Sequence, residues 1–102
     1  MMKFSRVMGD KEYILRFEFP EPESYVFELK LGALNPTVKD GVYVIFDVYG
    51  FLDDGFQFVG SVQGSMNINT NPFVMIDVNS GKQFGAETIE QAIATWYEFF
   101  IS

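Results

Sequence analysis

The stretch Thr88-Ile89-Glu90-Gln91-Ala92-Ile93-Ala94-Thr95-Trp96-Tyr97-Glu98-Phe99-Phe100-Ile101 carries a sustained helical period. At 100° per residue, Ile89, Ile93, Trp96 and Phe100 fall within about 40° of one direction, and Ala92, Tyr97 and Phe99 flank them. Glu87, Gln91, Thr95 and Glu98 take the opposite side. Thr88 and Gln91 stand at the spacing of a capping box, and Glu87 and Glu90 suit the positive end of a helix dipole. The pattern predicts an amphipathic helix over about 88–101 whose apolar stripe lies on a broad surface.

Upstream, the period changes from 3.6 to 2. Tyr13, Leu15, Phe17 and Phe19 alternate with Ile14, Arg16 and Glu18, and Tyr25, Phe27, Leu29 and Leu31 alternate with Val26, Glu28 and Lys30. Each run reads as a half-buried antiparallel strand. Lys3–Met8 is a shorter strand before the turn Gly9-Asp10, and Pro20-Glu21-Pro22-Glu23 ends pairing because proline has no N–H to donate. Residues 32–41 lack a period and read as an irregular loop. Val42–Tyr49 is apolar at every position except Asp47, which predicts a central strand with both faces covered. Asp53-Asp54-Gly55 marks a hairpin turn into Phe56–Gln63, where Phe56, Phe58, Gly60 and Val62 form one alternating set. Gly60 signals a bulge or a close approach. Residues 64–72 are polar and Asn-rich, Phe73–Val78 is a sixth strand, and Asn79-Ser80-Gly81-Lys82 is a turn.

The expected fold class is therefore α+β. It is a single domain over 1–102, with one antiparallel, curled sheet of about five to six strands and one amphipathic C-terminal helix. A helix is about 10 Å across and strands repeat every 4.8 Å or so, so one helix spans two or three strands of a flat sheet. The rest of the apolar surface needs a curled sheet, a second copy or a partner to cover it.

Composition narrows the function. Neither cysteine nor histidine occurs, which removes disulfides, thiolate nucleophiles, imidazole general bases and the common zinc ligands. A reducing, cytoplasmic setting is expected. No segment approaches the roughly 18 apolar residues of a membrane-spanning helix, and none has the pattern of a signal peptide. Asp77-Val78-Asn79-Ser80-Gly81 starts like a calcium loop but lacks its later ligands, so a hairpin turn explains it better. Gly60-Ser61-Val62-Gln63-Gly64-Ser65 lacks the Gly-Lys-Ser/Thr ending of a phosphate loop. No cofactor and no metal are expected.

Charge is the most informative property. The net charge is −7; residues 1–40 hold six cations against seven acids, whereas residues 41–102 hold Lys82 alone against seven. Such a chain is a poor direct ligand for phosphates and a natural complement to a basic protein. The expected function is a non-catalytic, acidic protein-binding module. It would be a small inhibitor or antagonist, of the anti-defence, anti-nuclease or immunity type found in phages and mobile elements. Its partner would be a nuclease or other nucleic-acid-binding protein with a basic surface, and the candidate contact residues are Asp47, Asp53, Asp54, Asp77, Glu87, Glu90 and Glu98. A self-assembling structural subunit, a homodimer included, is the alternative. A carboxylate-based enzyme built on Asp47 with Glu18 or Glu28 is the third class.

Overall fold

The computed structural model describes residues 2–8, 13–37, 41–52, 55–65 and 72–102. Seven strands precede the helix: β1 (Lys3–Met8), β2 (Tyr13–Phe19), β3 (Tyr25–Thr37), β4 (Gly41–Leu52), β5 (Gly55–Ser65), β6 (Phe73–Asp77) and β7 (Gln83–Ala86), then α1 (Ile89–Ile101). Every strand pairs antiparallel with its sequence neighbour, in the order β1-β2-β3-β4-β5-β6-β7. The α+β architecture agrees with the sequence, but the sheet has seven strands rather than five to six. The addition is β7, which pairs from Phe73↔Ala86 to Ile76↔Gln83. Four residues that include Gly85 are too few to display a period of two.

The region read as an irregular loop is largely strand. β3 continues past Leu31 to Thr37 and pairs as far as Thr37↔Gly41, with a register shift between Leu31 and Ala33. The described pairing of β2 on β3 stops at Ile14↔Lys30. Beyond that point β4 is the described partner of β3, and a proline such as Pro36 fits a strand where its missing N–H faces away from a partner. The turn residues Gly9-Asp10 and Asp53-Asp54 lie outside the described residues, as do residues 66–71. Their flanking pairs Met8↔Tyr13 and Leu52↔Gly55 are in place.

One sheet face forms the core. Leu15, Phe17, Phe27, Leu29, Phe46, Val48, Val62 and Met75 are buried there, joined by Ala92, Ile93, Trp96 and Tyr97 of the helix. The helix begins at the predicted cap: Thr88 is extended and its Oγ1 accepts from Gln91 N at 3.1 Å. At the other end Ser102 N–H donates to Phe99 O at 3.3 Å.

The sheet curls around this helix. Trp96 meets Phe27 of β3 edge-on at 5.0 Å, and its Nε1 donates to Asp77 Oδ1 of β6 at 3.0 Å. In a flat sheet those strands would be about 14 Å apart, beyond the span of one indole. Tyr97 stacks on Phe19 of β2 at 3.8 Å, while Phe99 contacts Phe84 of β7 at 5.4 Å. One helix thus reaches β2 and β3 from one side and β6 and β7 from the other. Small residues line the floor between them. A Cβ on Gly60 would collide with the Ile76 carbonyl oxygen and Met75, and one on Gly64 with the Pro72 carbonyl oxygen. The close approach predicted at Gly60 is therefore to β6, through the Ile76 backbone and the Met75 side chain.

Candidate interaction surfaces

A bulge decides what the outer sheet face displays. Val48 pairs with Gly60 but Tyr49 pairs with Phe58, which leaves Val59 as an extra residue on β5. Val59 and Gly60 are both buried, so the alternation restarts there. Gly60 and Val62 face the core, and Phe56 and Phe58 face outward. The sequence had placed all four on one face, since a bulge inserts one residue without a period of its own. Phe51, Phe56 and Phe58 are 56%, 48% and 47% exposed. They form a four-ring patch with Tyr49: Phe51 meets Phe56 at 5.2 Å and Tyr49 meets Phe58 at 5.8 Å.

The expectation for β4 is corrected by the same face. β4 is central, as predicted, but among the described residues only its inner side is covered. Val44, Phe46 and Val48 are buried, while Ile45, Asp47 and Tyr49 are half-buried and Phe51 is exposed.

Beside the rings lie three rows of charge. Residues directly opposite in an antiparallel pair share a face, and the register sets Lys3 opposite Glu18, Arg16 opposite Glu28, and Lys30 opposite Asp47. Each pair is of opposite sign. Arg16 Nε also lies 3.7 Å from Glu18 Oε1, and Lys30 Nζ sits 5.4 Å from the Tyr49 ring centroid. The described side chains of this face therefore sum to zero in a chain of net charge −7. The register thus sets Asp47, Glu18 and Glu28 opposite cations rather than opposite one another.

The helix side is different. Helix residues 88–101 include no Lys or Arg. Glu87 and Glu98 are exposed and Glu90 is half-buried. Two further acids join them through the fold. Tyr97 Oη donates to the Glu21 carbonyl at 2.9 Å and Tyr25 Oη to Glu23 Oε2 at 3.3 Å, which ties the turn between β2 and β3 to the third turn of the helix. Glu21 and Glu23 are both exposed. Burial, with added repulsion from Tyr25 and Glu23, pushes the Tyr97 phenol above its ordinary value. In sequence, Glu21 and Glu23 read only as part of the proline-bearing segment that ends pairing. The available signal was that the strands they join carry Phe19, Tyr25 and Phe27, three aromatic neighbours of the helix. Lys82, whose Nζ lies 5.1 Å from the Phe99 ring centroid, is the described cation packed against this side.

The seven acids singled out from sequence are thus dispersed. Glu87, Glu90 and Glu98 share the helix side, Asp47 lies on the opposite face, and Asp53 and Asp54 fall outside the described residues. Asp77 leaves the set, being buried at 6% exposure. Its Oδ1 accepts from Trp96, and its Oδ2 accepts from Ser80 N and Ser80 Oγ, both at 2.9 Å. Burial acts to raise its pKa, but hydrogen bonds from Trp96, from Ser80 and from the Asn79 backbone outweigh it and hold the carboxyl below its ordinary value. The group organises the turn that Gly81 closes with φ +73°, and the calcium-like spacing is explained by that turn.

Among the described residues no group of three or more Asp, Glu, His or Cys is placed to hold a metal ion. No described helix is long and apolar enough to cross a membrane. Comparison with protein families, curated proteins and solved structures finds no match for this chain.

Proposed function

We propose that the protein is a non-catalytic binding module whose acidic helix side engages a basic protein. The observation that carries this reading is the separation of charge between the two faces. The outer sheet face is balanced, so the excess of −7 is confined to the helix side, the turns and the residues outside the description. Concentrating one sign on one side gives a directional field, which steers a partner of opposite sign and weakens as salt screens it. The partner class is a nuclease or other nucleic-acid-binding protein. Glu21, Glu23, Glu87, Glu90 and Glu98 would occupy positions that phosphates take on its basic groove, and the module would act as an inhibitor or antagonist. A cytoplasmic setting completes the proposal, since a chain without cysteine suits a reducing compartment.

The test is capture of a basic partner by the wild-type chain and by a Glu87→Gln, Glu90→Gln, Glu98→Gln variant. The reading expects binding that falls at least about tenfold between roughly 0.1 and 0.5 M salt, that nucleic acid competes away, and that the variant loses. Salt-insensitive binding, or full binding by the variant, would contradict it.

A second reading is a self-assembling structural component, favoured by the exposed rings of Phe51, Phe56 and Phe58 on β4 and β5.

A further inference from the structure

We propose that the outer face of β3, β4 and β5 is the contact through which two copies of this chain pair about a two-fold axis, ring patch against ring patch. This deepens the self-assembly reading and rests on it, because it names the occupant as a second copy and the assembly as closed. It is independent of the acidic-partner reading.

Three observations converge on a second copy. First, β4 has the composition of a strand apolar on both faces, yet among the described residues only one face is covered. Second, the patch is an ordered cluster of four rings rather than a scattered exposure, and three of its members are about half exposed. Clustered exposed rings of this kind mark contact surfaces. Third, charge selects the occupant. Two chains of −7 repel across any face that shares the excess, whereas this face sets each cation opposite an acid and carries no net charge among its described side chains. A basic partner would gain no attraction here, whereas an identical face meets no penalty.

Distances support the same choice. Sheets packed face to face lie about 10 Å apart, and each helix layer adds about 10 Å behind its sheet. The acidic sides of a pair would then be about 30 Å apart, several times the screening length of about 8 Å at physiological salt. The outer face is convex because the sheet curls inward, so contact is limited to the ring patch and adjoining strands. That removes on the order of 800–1,000 Å² in total, the size of a weak, reversible association.

Sedimentation velocity of the intact chain from about 5 to 500 μM tests the proposal, together with a Phe51→Ser, Phe58→Ser variant and a Glu98→Gln control. The expected result is a monomer–dimer equilibrium that tightens as salt rises and is unchanged in the control. The ring variant, its fold checked by circular dichroism, should weaken pairing at least about tenfold. A chain free of cysteine permits a second readout that depends on no destabilising change. Phe56→Cys should give a disulfide-linked dimer on mild oxidation, and Glu98→Cys should not. A monomer throughout would overturn both this proposal and the self-assembly reading. Open-ended oligomers that the ring variant dissolves would overturn the closed pair while leaving self-assembly standing. A dimer that the ring variant leaves intact would overturn the assignment of the face.

Discussion

Replacing Asp77 by Ala should cost about 3 kcal/mol of folding stability. In the native chain one buried carboxylate accepts from Trp96 Nε1 at 3.0 Å and from Ser80 N and Oγ at 2.9 Å. Hydrogen bonds to a charged group contribute about 1.5–3 kcal/mol each, and a buried donor left without a partner costs about 1–3 kcal/mol. Ser80 is exposed and can turn to water. The Trp96 indole is fully buried and cannot, so its orphaned N–H sets most of the loss. A domain of this size has about 5–15 kcal/mol in all, and each kcal/mol moves Tm by roughly 4–8 °C. The melting point of Asp77→Ala should therefore fall by about 12–24 °C. Asp77→Asn keeps an acceptor oxygen and should lose about half as much. Trp96 is the only tryptophan, so its fluorescence in a urea titration reports directly on the perturbed site. The sign of the pH dependence follows from the lowered pKa of Asp77. Its contribution is full above the ordinary aspartate value of 3.8 and is lost as pH falls through the lower folded value, so wild type and Asp77→Asn should converge in acid. A loss below about 0.5 kcal/mol for Asp77→Ala, or a gap between wild type and Asp77→Asn that does not narrow as pH falls below 3.8, would refute this account of the site.

Removing residues 99–101 should unfold the chain. Phe100 contacts Tyr25, Phe27 and Trp96 at 5.0–5.5 Å, and Phe99 contacts Phe84; a cooperative melt like that of the intact protein would count against the helix as the closing element. Gly60→Ala should cost about 1–3 kcal/mol by pressing β5 against the Ile76 carbonyl, visible as faster amide exchange in β5 and β6. Tyr97→Phe should lose about 1 kcal/mol with its bond to Glu21 O. In an alkaline titration followed by ultraviolet absorbance, Tyr97 should ionise above the ordinary tyrosine value of 10.0. Because its folded value is raised, its contribution is intact below that pH and is lost only as pH climbs past the folded value.

The parts of this fold legible in the sequence are those written as a repeating period. The helix stripe of Ile89, Ile93, Trp96 and Phe100 and the alternation through β2 and the first half of β3 needed no knowledge of pairing partners. β7 was too short to show a period, and the distal half of β3 carries an Asn-Pro that reads as a loop until its pairing with β4 is known. The outer face was hidden for a different reason. Its ring patch depends on one extra residue, Val59, and its charge balance depends on register. Lys3 and Glu18, Arg16 and Glu28, and Lys30 and Asp47 are opposed in space, and their separations in sequence signal no pairing. Asp77 was misread because an acid in a turn is usually solvated; only the fold brings the Trp96 indole to it.

The central claim is that the two sides of the sheet have different occupants, a basic partner on the helix side and a second copy on the outer side. The most direct measurement is a crossed one, in which partner binding and self-association are measured at matched salt for both variants. Those variants are Glu87→Gln, Glu90→Gln, Glu98→Gln and Phe51→Ser, Phe58→Ser. The account predicts that the first loses partner binding and keeps the dimer, and that the second loses the dimer and keeps partner binding. If either variant abolishes both properties while remaining folded, or if the first binds its partner undiminished, the division of labour between the faces is contradicted.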